Sequence, residues 1–219
     1  MLPTTLKEWL ERMEKLHPVA IDMGLDRVVK VRDSLGLAFA GPVITVGGTN
    51  GKGSTCAMLE AVLLAAGYRV GLYTSPHLLR YNERVRIDGV PVDDGRLCEA
   101  FSRVEQSRDG VSLTYFEFGT LAAWQLFCDA KLDVLVMEVG LGGRLDAVNA
   151  FDPDCAVVTS IGIDHVDYLG PTRESIGFEK AGIFRPGRAA ICGDPHPPHR
   201  SEEHTSELQS HLNLVCRLL

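Results

Sequence analysis

The stretch VITVGGTNGKGSTCAMLEAVLLAAG, residues 43–67, decides the fold of this 219-residue chain. Residues 43–46 are all β-branched and predict a strand, while residues 54–66 carry apolar side chains at helical spacing and predict a helix. A phosphate-binding P-loop has the same strand, turn and helix order, with the common pattern G-x-x-x-x-G-K-[ST]. That pattern is broken here, because Val46 replaces its first glycine and Gly53 replaces its hydroxyl residue.

The turn between the predicted strand and helix indicates a phosphate site. Its glycines let backbone N–H groups converge on an anion at the N-terminus of the following helix. We expect Lys52 to reach the outer phosphates of a nucleotide, and Ser54 or Thr55 to bind Mg²⁺ or a phosphate oxygen. A glycine-rich turn with a chance lysine is the alternative, which the flanking strand and helix disfavour.

Composition narrows the class of protein. Hydrophobic residues make up 45% of the chain and charged residues 23%, which suits a globular core, and the net charge of −7 argues against a general nucleic-acid binder. The sequence predicts neither a membrane span nor a signal peptide. The cysteines are scattered without a C-x-x-C pair, which is typical of reduced thiols in the cytoplasm. Most are expected to be small core residues; they are Cys56, Cys98, Cys128, Cys155, Cys192 and Cys216.

Apolar segments alternate with helical ones along the rest of the chain. The N-terminus predicts an amphipathic helix with a capping box formed by Thr5 and Glu8. The other predicted elements are strands at 70–73, 133–139, 155–161 and 189–192, a helix at 116–129, and a hairpin at 83–92 around Asp88 and Gly89. The alternation predicts an α/β fold with a mostly parallel sheet and helices on both of its faces.

Polar residues follow two of the predicted strands. Glu138 ends an apolar strand, where open α/β sheets place ligand-binding groups and where P-loop enzymes place an acid that holds magnesium. A carboxylate turned toward solvent is the alternative. The glycines that follow suggest backbone close to a ligand, with Arg144 and Asp146 as candidate binding residues or as members of a salt bridge. His165 follows the next strand, as a metal ligand or a structural histidine.

For two further residues, the local sequence does not indicate a functional role. Lys180 has the pattern of an ordinary surface lysine, and Ser75 that of a turn residue before a proline.

Taken together, blocks of this sequence resemble the Mur ligase superfamily, and specifically the folylpolyglutamate synthase/dihydrofolate synthase family. GTNGKG indicates the superfamily, whereas TSPHL, RYNERVRIDG and LTYFEFGT favour the folate branch and are most similar to its bifunctional bacterial members. The similarity extends over nearly all of residues 6–193. Its blocks are IDMGLDRV, GGTNGKGSTC, YTSPHLLRYNERVRIDG, SLTYFEFGTLAAW, EVGLGGRLDAVN, TSIGIDHVDYLG and RESIGFEKAGIFRPG.

The resemblance implies an ATP-dependent acid–amino-acid ligase of the dihydrofolate synthase and tetrahydrofolate synthase class. It would add L-glutamate to dihydropteroate and to reduced folates through an acyl phosphate, as a cytoplasmic monomer with no nucleic-acid or membrane partner. Two alternatives stay open: a cell-wall Mur ligase that acts on a nucleotide-linked peptide, and a nucleotide-binding fragment without catalysis.

The resemblance also implies which residues form the site. The ATP phosphates would be bound by Thr49, Asn50, Gly51, Lys52, Gly53 and Ser54. A pair of Mg²⁺ ions would be held by Ser75, Glu138, His165 and Lys180, the last carbamylated by CO₂. The pteroate site would be lined by Thr114, Tyr115, Phe116, Glu117, Leu145, Asp146 and Ala147. The residues with catalytic roles would be Lys52, Lys180 and His165.

The domain organisation predicted from the sequence has two parts. Residues 1–199 resemble the P-loop-containing central ATPase domain of a Mur ligase, incomplete and without the C-terminal domain of the family. Composition shifts after Gly193, and residues 200–210, RSEEHTSELQS, match the in-frame translation of a widely used sequencing adapter. We therefore expect residues 200–219 to be a disordered library artefact and the natural protein to continue past residue 199; a genuine disordered tail is the alternative.

Overall fold

The computed structural model describes residues 2–199, so the predicted tail at 200–219 lies outside the described part of the chain. Seven strands are present there: β1 Val43–Gly47, β2 Val70–Tyr73, β3 Val85–Ile87, β4 Val90–Pro91, β5 Val134–Glu138, β6 Cys155–Val158 and β7 Ala189–Cys192. The α-helices of the same residues are α1 Leu6–Leu16, α2 Asp26–Leu35, α3 Lys52–Ala65, α4 Asp94–Ser107, α5 Tyr115–Asp129, α6 Val166–Leu169 and α7 Arg173–Ala181. Short 3-10 helices occupy Tyr81–Arg84 and Ala147–Ala150.

The strands form one sheet in the order β4-β3-β2-β5-β1-β6-β7. The pairs from β2 to β7 are parallel, and only the edge strands β3 and β4 run antiparallel. The mostly parallel α/β sheet predicted from the sequence is therefore confirmed, as is the hairpin, whose β3 and β4 pair across Asp88 and Gly89. Because the central strands are parallel, their carboxyl ends meet at one edge of the sheet.

Helices cover both faces of this sheet, as predicted. Successive side chains of a strand point to opposite faces, so Val134 and Val136 of β5 lie in the core beneath α3. Leu135 and Met137 of the same strand lie in the core formed with α1, α2, α4 and α5. A third core joins β6 to α7.

The N-terminal helix α1 closes the larger core. Its predicted capping box is present, since the Thr5 hydroxyl accepts the N–H of Glu8 and the Glu8 carboxylate accepts the N–H of Thr5. Trp9 and Met13 are each 1% exposed and belong to the core with α4 and α5. This anchoring brings the loop after α1 toward the carboxyl edge of the sheet.

Some sequence-based expectations need correction. Helix α3 begins at Lys52, two residues before the predicted start, and β6 ends at Val158 rather than at residue 161. Helices α2, α4, α6 and α7 were not predicted. Of the cysteines expected in the core, Cys56 is buried, Cys98 and Cys128 are partly buried against the larger core, and Cys155 and Cys192 are partly buried. Cys216 lies outside the described residues.

The apolar helix α5 runs for 15 residues beneath the sheet. Within residues 2–199, no helix combines the length and the apolar composition that crossing a membrane requires. Gly71 of β2 faces Phe127 of helix α5, and only a hydrogen atom fits there.

We expect Gly71→Ala to lower the free energy of unfolding by about 1–3 kcal/mol, because the core would be overpacked. An added Cβ would lie 2.6 Å from Leu135 Cδ2, 2.7 Å from Leu132 Cδ1 and 2.9 Å from Phe127 Cδ1. Urea denaturation followed by circular dichroism measures the change. Gly24→Ala is the control, since a Cβ there has no atom within 4 Å; an equal loss in both variants would contradict the packing argument.

Candidate active site

The turn between β1 and α3 exposes the start of a helix to a ligand. Gly51 precedes α3 with a φ of 83° and provides no side-chain cap, so the first N–H groups of the helix are available to an anion. Gly48 has a φ of 140°, and a Cβ there would overlap the Thr159 hydroxyl. Glycine is therefore required at this position on both conformational and steric grounds.

Contacts with the loop after β6 hold this turn in shape. The N–H of Thr49 donates to the carbonyl of Ser160 at 2.8 Å, and the N–H of Asn50 donates to the Ser160 hydroxyl at 3.1 Å. The Thr159 hydroxyl donates to the carbonyl of Asn50 at 2.7 Å. The ammonium of Lys52 donates to the carbonyls of Gly48 and Thr49, at 2.9 and 3.3 Å. The predicted ATP-binding residues thus form one continuous, braced turn.

Ser75 and Glu138 are brought together by the pairing of β2 with β5. The two strands are parallel with Tyr73 opposite Met137, so the residues that follow them are neighbours. The N–H of Ser75 donates to Glu138 Oε2 at 3.0 Å, and Glu138 is 4% exposed. The alternative of a solvent-turned carboxylate is therefore wrong. Burial raises the pKa of Glu138, and the Ser75 N–H and the Lys52 charge oppose this effect.

His165 and Lys180 both line a small recess beside the turn. Lys52 and Gly48 also line this recess. His165 has a φ of 48° and directly precedes α6, and its Nε2 lies 3.6 Å from a carboxylate oxygen of Asp164. The side chain of His165 is half exposed.

Lys180 is not the surface lysine that its sequence pattern suggests. It lies on α7 and is 3% exposed. Burial, together with the positive charge of Lys52, lowers the pKa of Lys180 to about 8. The amine is therefore much more readily neutral than an ordinary lysine amine.

A larger cavity of about 400 Å³, which we call the central pocket, adjoins the turn. Lys52, Ser75 and His165 line it on the phosphate side. Six of the predicted substrate residues also line it: Thr114, Phe116, Glu117, Leu145, Asp146 and Ala147. Tyr115 is not among the lining residues, because its ring points to Tyr81, 5.9 Å away between ring centroids.

The start of α5 forms one wall of the central pocket. Thr114 caps this helix, and its N–H donates to Glu117 Oε2 at 2.7 Å in a capping box. Arg27 of α2 pairs with the other carboxylate oxygen of Glu117 at 3.1 Å. The capping box and the ion pair with Arg27 thus hold the wall in place, although Oε1 of Glu117 forms no hydrogen bond with residues 2–199.

The loop after β5 forms the facing wall. Asp146 is 4% exposed and accepts the N–H groups of Leu141 and Val148, each at 2.9 Å. Burial is the largest influence on this carboxyl group, and it raises the pKa of Asp146 to about 7. An uncharged Asp146 can donate its proton as well as accept, which suits recognition of a heterocycle.

The glycines of this loop allow close packing, and Gly140 also exposes its backbone to the central pocket. A Cβ on Gly140 would lie 2.6 Å from Cζ of Phe116, so the ring rests on bare backbone at the pocket wall. A Cβ on Gly143 would lie 2.7 Å from the carbonyl oxygen of Glu179 on α7. Arg144 forms the salt bridge foreseen as an alternative, at 2.8 Å from Glu179.

Sequence reasoning missed two parts of the central pocket. The loop between α1 and α2, residues 20–24, lines it, and so does Arg84 from the 3-10 helix before β3. Both lie in blocks that resemble the folate family, but nothing in their spacing identifies them as lining residues. Their place follows only from the packing of α1 and of the β3–β4 hairpin.

The donor atoms at the phosphate side fit a magnesium ion. In residues 2–199 no three His, Cys, Asp or Glu side chains form a metal-binding cluster. Ser75, Glu138 and His165 offer a hydroxyl, a buried carboxylate and an imidazole beside the phosphate turn. Magnesium keeps several waters and is completed by substrate phosphates rather than by an all-protein cage, so a small set of protein ligands is suitable.

Comparison with known proteins agrees with this geometry. Residues 46–194 match the family described as Mur ligase middle domain. The dihydrofolate synthase/folylpolyglutamate synthase of Escherichia coli (strain K12) is 56% identical over 194 residues, which cover 88% of this chain and 46% of that protein.

Solved structures give the same result. E. coli FolC in complex with DHPP and ADP superimposes with a TM-score of 0.91 at 54% identity, covering 93% of this chain and 50% of that one. The bifunctional folylpolyglutamate synthase/dihydrofolate synthase from Yersinia pestis, complexed with AMPPNP and Mn ion, has a TM-score of 0.91 at 52% identity and covers 97% and 53%. The chain spans about half the length of the curated relatives it matches. The resemblance seen in the sequence is confirmed: the chain belongs to the Mur ligase family, in its dihydrofolate synthase/folylpolyglutamate synthase branch.

Proposed function

We propose that this chain carries the phosphate site and the acid site of an ATP-dependent ligase that joins L-glutamate to dihydropteroate and to reduced folates. The observation that carries the proposal is that Lys52 lines both the phosphate turn and the central pocket. A nucleotide on the turn would therefore have its outer phosphate at the mouth of a pocket of about 400 Å³, large enough for an aromatic acid. The E. coli relative with bound DHPP and ADP supports this assignment.

The proposed reaction overcomes the poor reactivity of a carboxylate. A carboxylate oxygen of the acid attacks the γ-phosphorus of ATP, and the bond from that phosphorus to ADP breaks. The resulting acyl phosphate is attacked at its carbonyl carbon by the amine of L-glutamate. Phosphate leaves with the electrons of the carbon–oxygen bond, and the amine loses a proton. Positioning and neutralisation of charge supply most of the catalysis.

The residues of this chain divide these tasks. The open N-terminus of α3 and the Lys52 ammonium would bind the ATP phosphates. Phe116, held flat against Gly140, would stack on the pterin ring, and Asp146 would hydrogen-bond to it. Leu145 and Ala147 would complete the wall formed by the loop after β5. Tyr115, whose ring does not line the pocket, would support the wall formed by the start of α5.

Magnesium and the carbamate of Lys180 belong to the same proposal. Ser75, Glu138 and His165 would hold one Mg²⁺, and carbamylated Lys180 would provide an oxygen ligand for a second. When bound, the metal neutralises the charge that develops on the phosphoryl group. Manganese bound in the Y. pestis relative supports a divalent cation. Carbamylation joins the neutral amine to CO₂ and releases a proton, and the low pKa of Lys180 favours it.

The remaining expectations are proposals of the same kind. We propose that the protein is a cytoplasmic monomer. Its partners would be dihydropteroate, folates and L-glutamate, and it would bind neither nucleic acid nor a membrane. A cell-wall substrate is disfavoured, because the matched relatives are folate ligases. A thermal-shift comparison of dihydropteroate with a UDP-muramyl substrate tests this choice. ATP binding and phosphate release by the purified chain test whether it is a nucleotide-binding fragment without catalysis.

Lys52→Ala in the full-length protein is expected to lower the ligation rate by about 10²-fold or more, because the phosphates lose the cation closest to them. Phosphate release in the presence of dihydropteroate and L-glutamate measures the rate. Lys30→Ala on the exposed side of α2 is the matched control and should retain full activity. Turnover of Lys52→Ala near the wild-type rate would refute its assignment.

Lys180→Ala is expected to reduce ligation, and short-chain carboxylic acids are expected to restore part of it by replacing the carbamate oxygens. Carbon-13-labelled CO₂ should give a carbamate signal in the NMR spectrum of the wild-type protein. The signal should be absent from Lys180→Ala and present in Lys30→Ala. A wild-type spectrum without this signal, together with a variant of normal activity, would show that Lys180 acts as a plain amine or not at all.

A further inference from the structure

Arg84 is a pocket-lining cation that has no acidic partner among residues 2–199. It reaches the central pocket from the end of the 3-10 helix before β3. Its sequence neighbours are paired: Arg80 lies 3.8 Å from Asp94, and Arg86 lies 3.1 Å from Glu60. Within residues 2–199, Arg84 forms no salt bridge, although its side chain is only partly exposed. Removing a charged group from water in this way is costly unless a partner compensates.

The side chains that contact Arg84 are those of a histidine and of tyrosines, none of which carries a negative charge. Its Nε donates to Nδ1 of His77 at 2.8 Å, so that nitrogen carries no proton. The guanidinium carbon lies 5.5 Å from the ring centroid of Tyr81 and 5.6 Å from that of Tyr115, and Tyr73 is close enough to feel its charge. These contacts hold the guanidinium beside aromatic rings, which attract the cation, but they provide no negative charge.

No acid inside the central pocket is free to become its partner. Asp22 lies 2.6 Å from Arg27, and Glu117 lies 3.1 Å from the same guanidinium. Asp146 accepts backbone N–H groups across the pocket. The negative charge that would compensate Arg84 must therefore come with the ligand.

The chemistry of the pocket selects the kind of anion. A phosphate already has the open N-terminus of α3 and Lys52, which donates to loop carbonyls on that side. Arg84 instead contacts the rings of Tyr81 and Tyr115 outside the pocket lining and shares that lining with the aromatic ring of Phe116. A guanidinium matches a planar carboxylate with two parallel hydrogen bonds, and partial exclusion of water strengthens the pair.

We propose that Arg84 binds the carboxylate of the aromatic acid in the central pocket and so makes the site select acids over their neutral analogues. The proposal rests on the function proposed above for this pocket. It also gives Arg84 a role in positioning, because a carboxylate must approach the negatively charged phosphates of ATP. A fixed guanidinium offsets that repulsion and orients the oxygen that attacks.

Binding of pteroate and of its neutral primary amide tests this proposal without requiring turnover. Isothermal titration calorimetry is carried out on the wild-type chain, Arg84→Gln, Arg84→Lys and Arg96→Gln. The wild type should prefer the acid by about 10- to 100-fold, the usual range for a hydrogen-bonded charged group. Arg84→Gln should lose this preference while its affinity for the amide stays unchanged, and Arg84→Lys should keep part of it.

Arg96→Gln is the matched control. Arg96 lies on α4, is exposed, does not line the central pocket and forms no salt bridge with any other residue of the described chain. Its replacement should keep the full preference for the acid.

The outcomes separate this proposal from the function on which it rests. A wild-type chain that binds neither compound would remove the basis of both. A wild type that binds acid and amide equally, or an Arg84→Gln variant that keeps the preference, would overturn the role of Arg84 and leave the proposed function standing. Equal loss of affinity for acid and amide in Arg84→Gln would show that Arg84 only supports the pocket wall, and would also overturn the proposal.

Discussion

Parallel pairing of β1 with β5 and β6 is the constraint on which the rest of the molecule depends. Val46 lies opposite Glu138 and Gly47 opposite Val158, so these strands end together at one edge of the sheet. The phosphate turn, the buried carboxylate and the bracing loop at Thr159 leave the sheet side by side. A shift of register would move each of them and turn every strand side chain to the opposite face.

Several ionisable groups are buried around this edge of the sheet, and different neighbouring groups stabilise the charge of each. Glu138 is supported by one backbone N–H and Asp146 by several, and the Lys52 charge favours the ionised form of both. The charge of Lys180 is supported by Asp164 and opposed by Lys52. Burial therefore moves the pKa of all three groups toward the neutral form. Such an arrangement is typical of sites where a ligand or metal supplies the missing charge. Arg84, which also lines the central pocket, forms no salt bridge within residues 2–199 and so also leaves room for a charge brought by a ligand.

The central pocket is assembled from segments distant in sequence. Helices α1 and α2 carry the 20–24 loop, α5 carries Phe116, and the strand ends carry Ser75 and the loop containing Gly140. Because Gly140 has no side chain, the Phe116 ring lies directly against the backbone of the loop after β5. The shape of the cavity therefore depends on glycine at this position. The salt bridges of Arg27 then tie the loop to the start of α5.

The sequence by itself determined the parallel α/β sheet, the phosphate turn around Lys52, the strand-end position of Glu138 and the family. These are local patterns of hydrophobic period, glycine and charge that need no knowledge of distant segments. Only the tertiary structure decided that Lys180 is buried, that Tyr115 faces away from the pocket, and that Arg84 lines it. The burial of a side chain and its contacts depend on which distant segments pack together. Here these contacts are set by the packing of α5, α7 and the β3–β4 hairpin. The local sequence around a residue does not specify these long-range contacts.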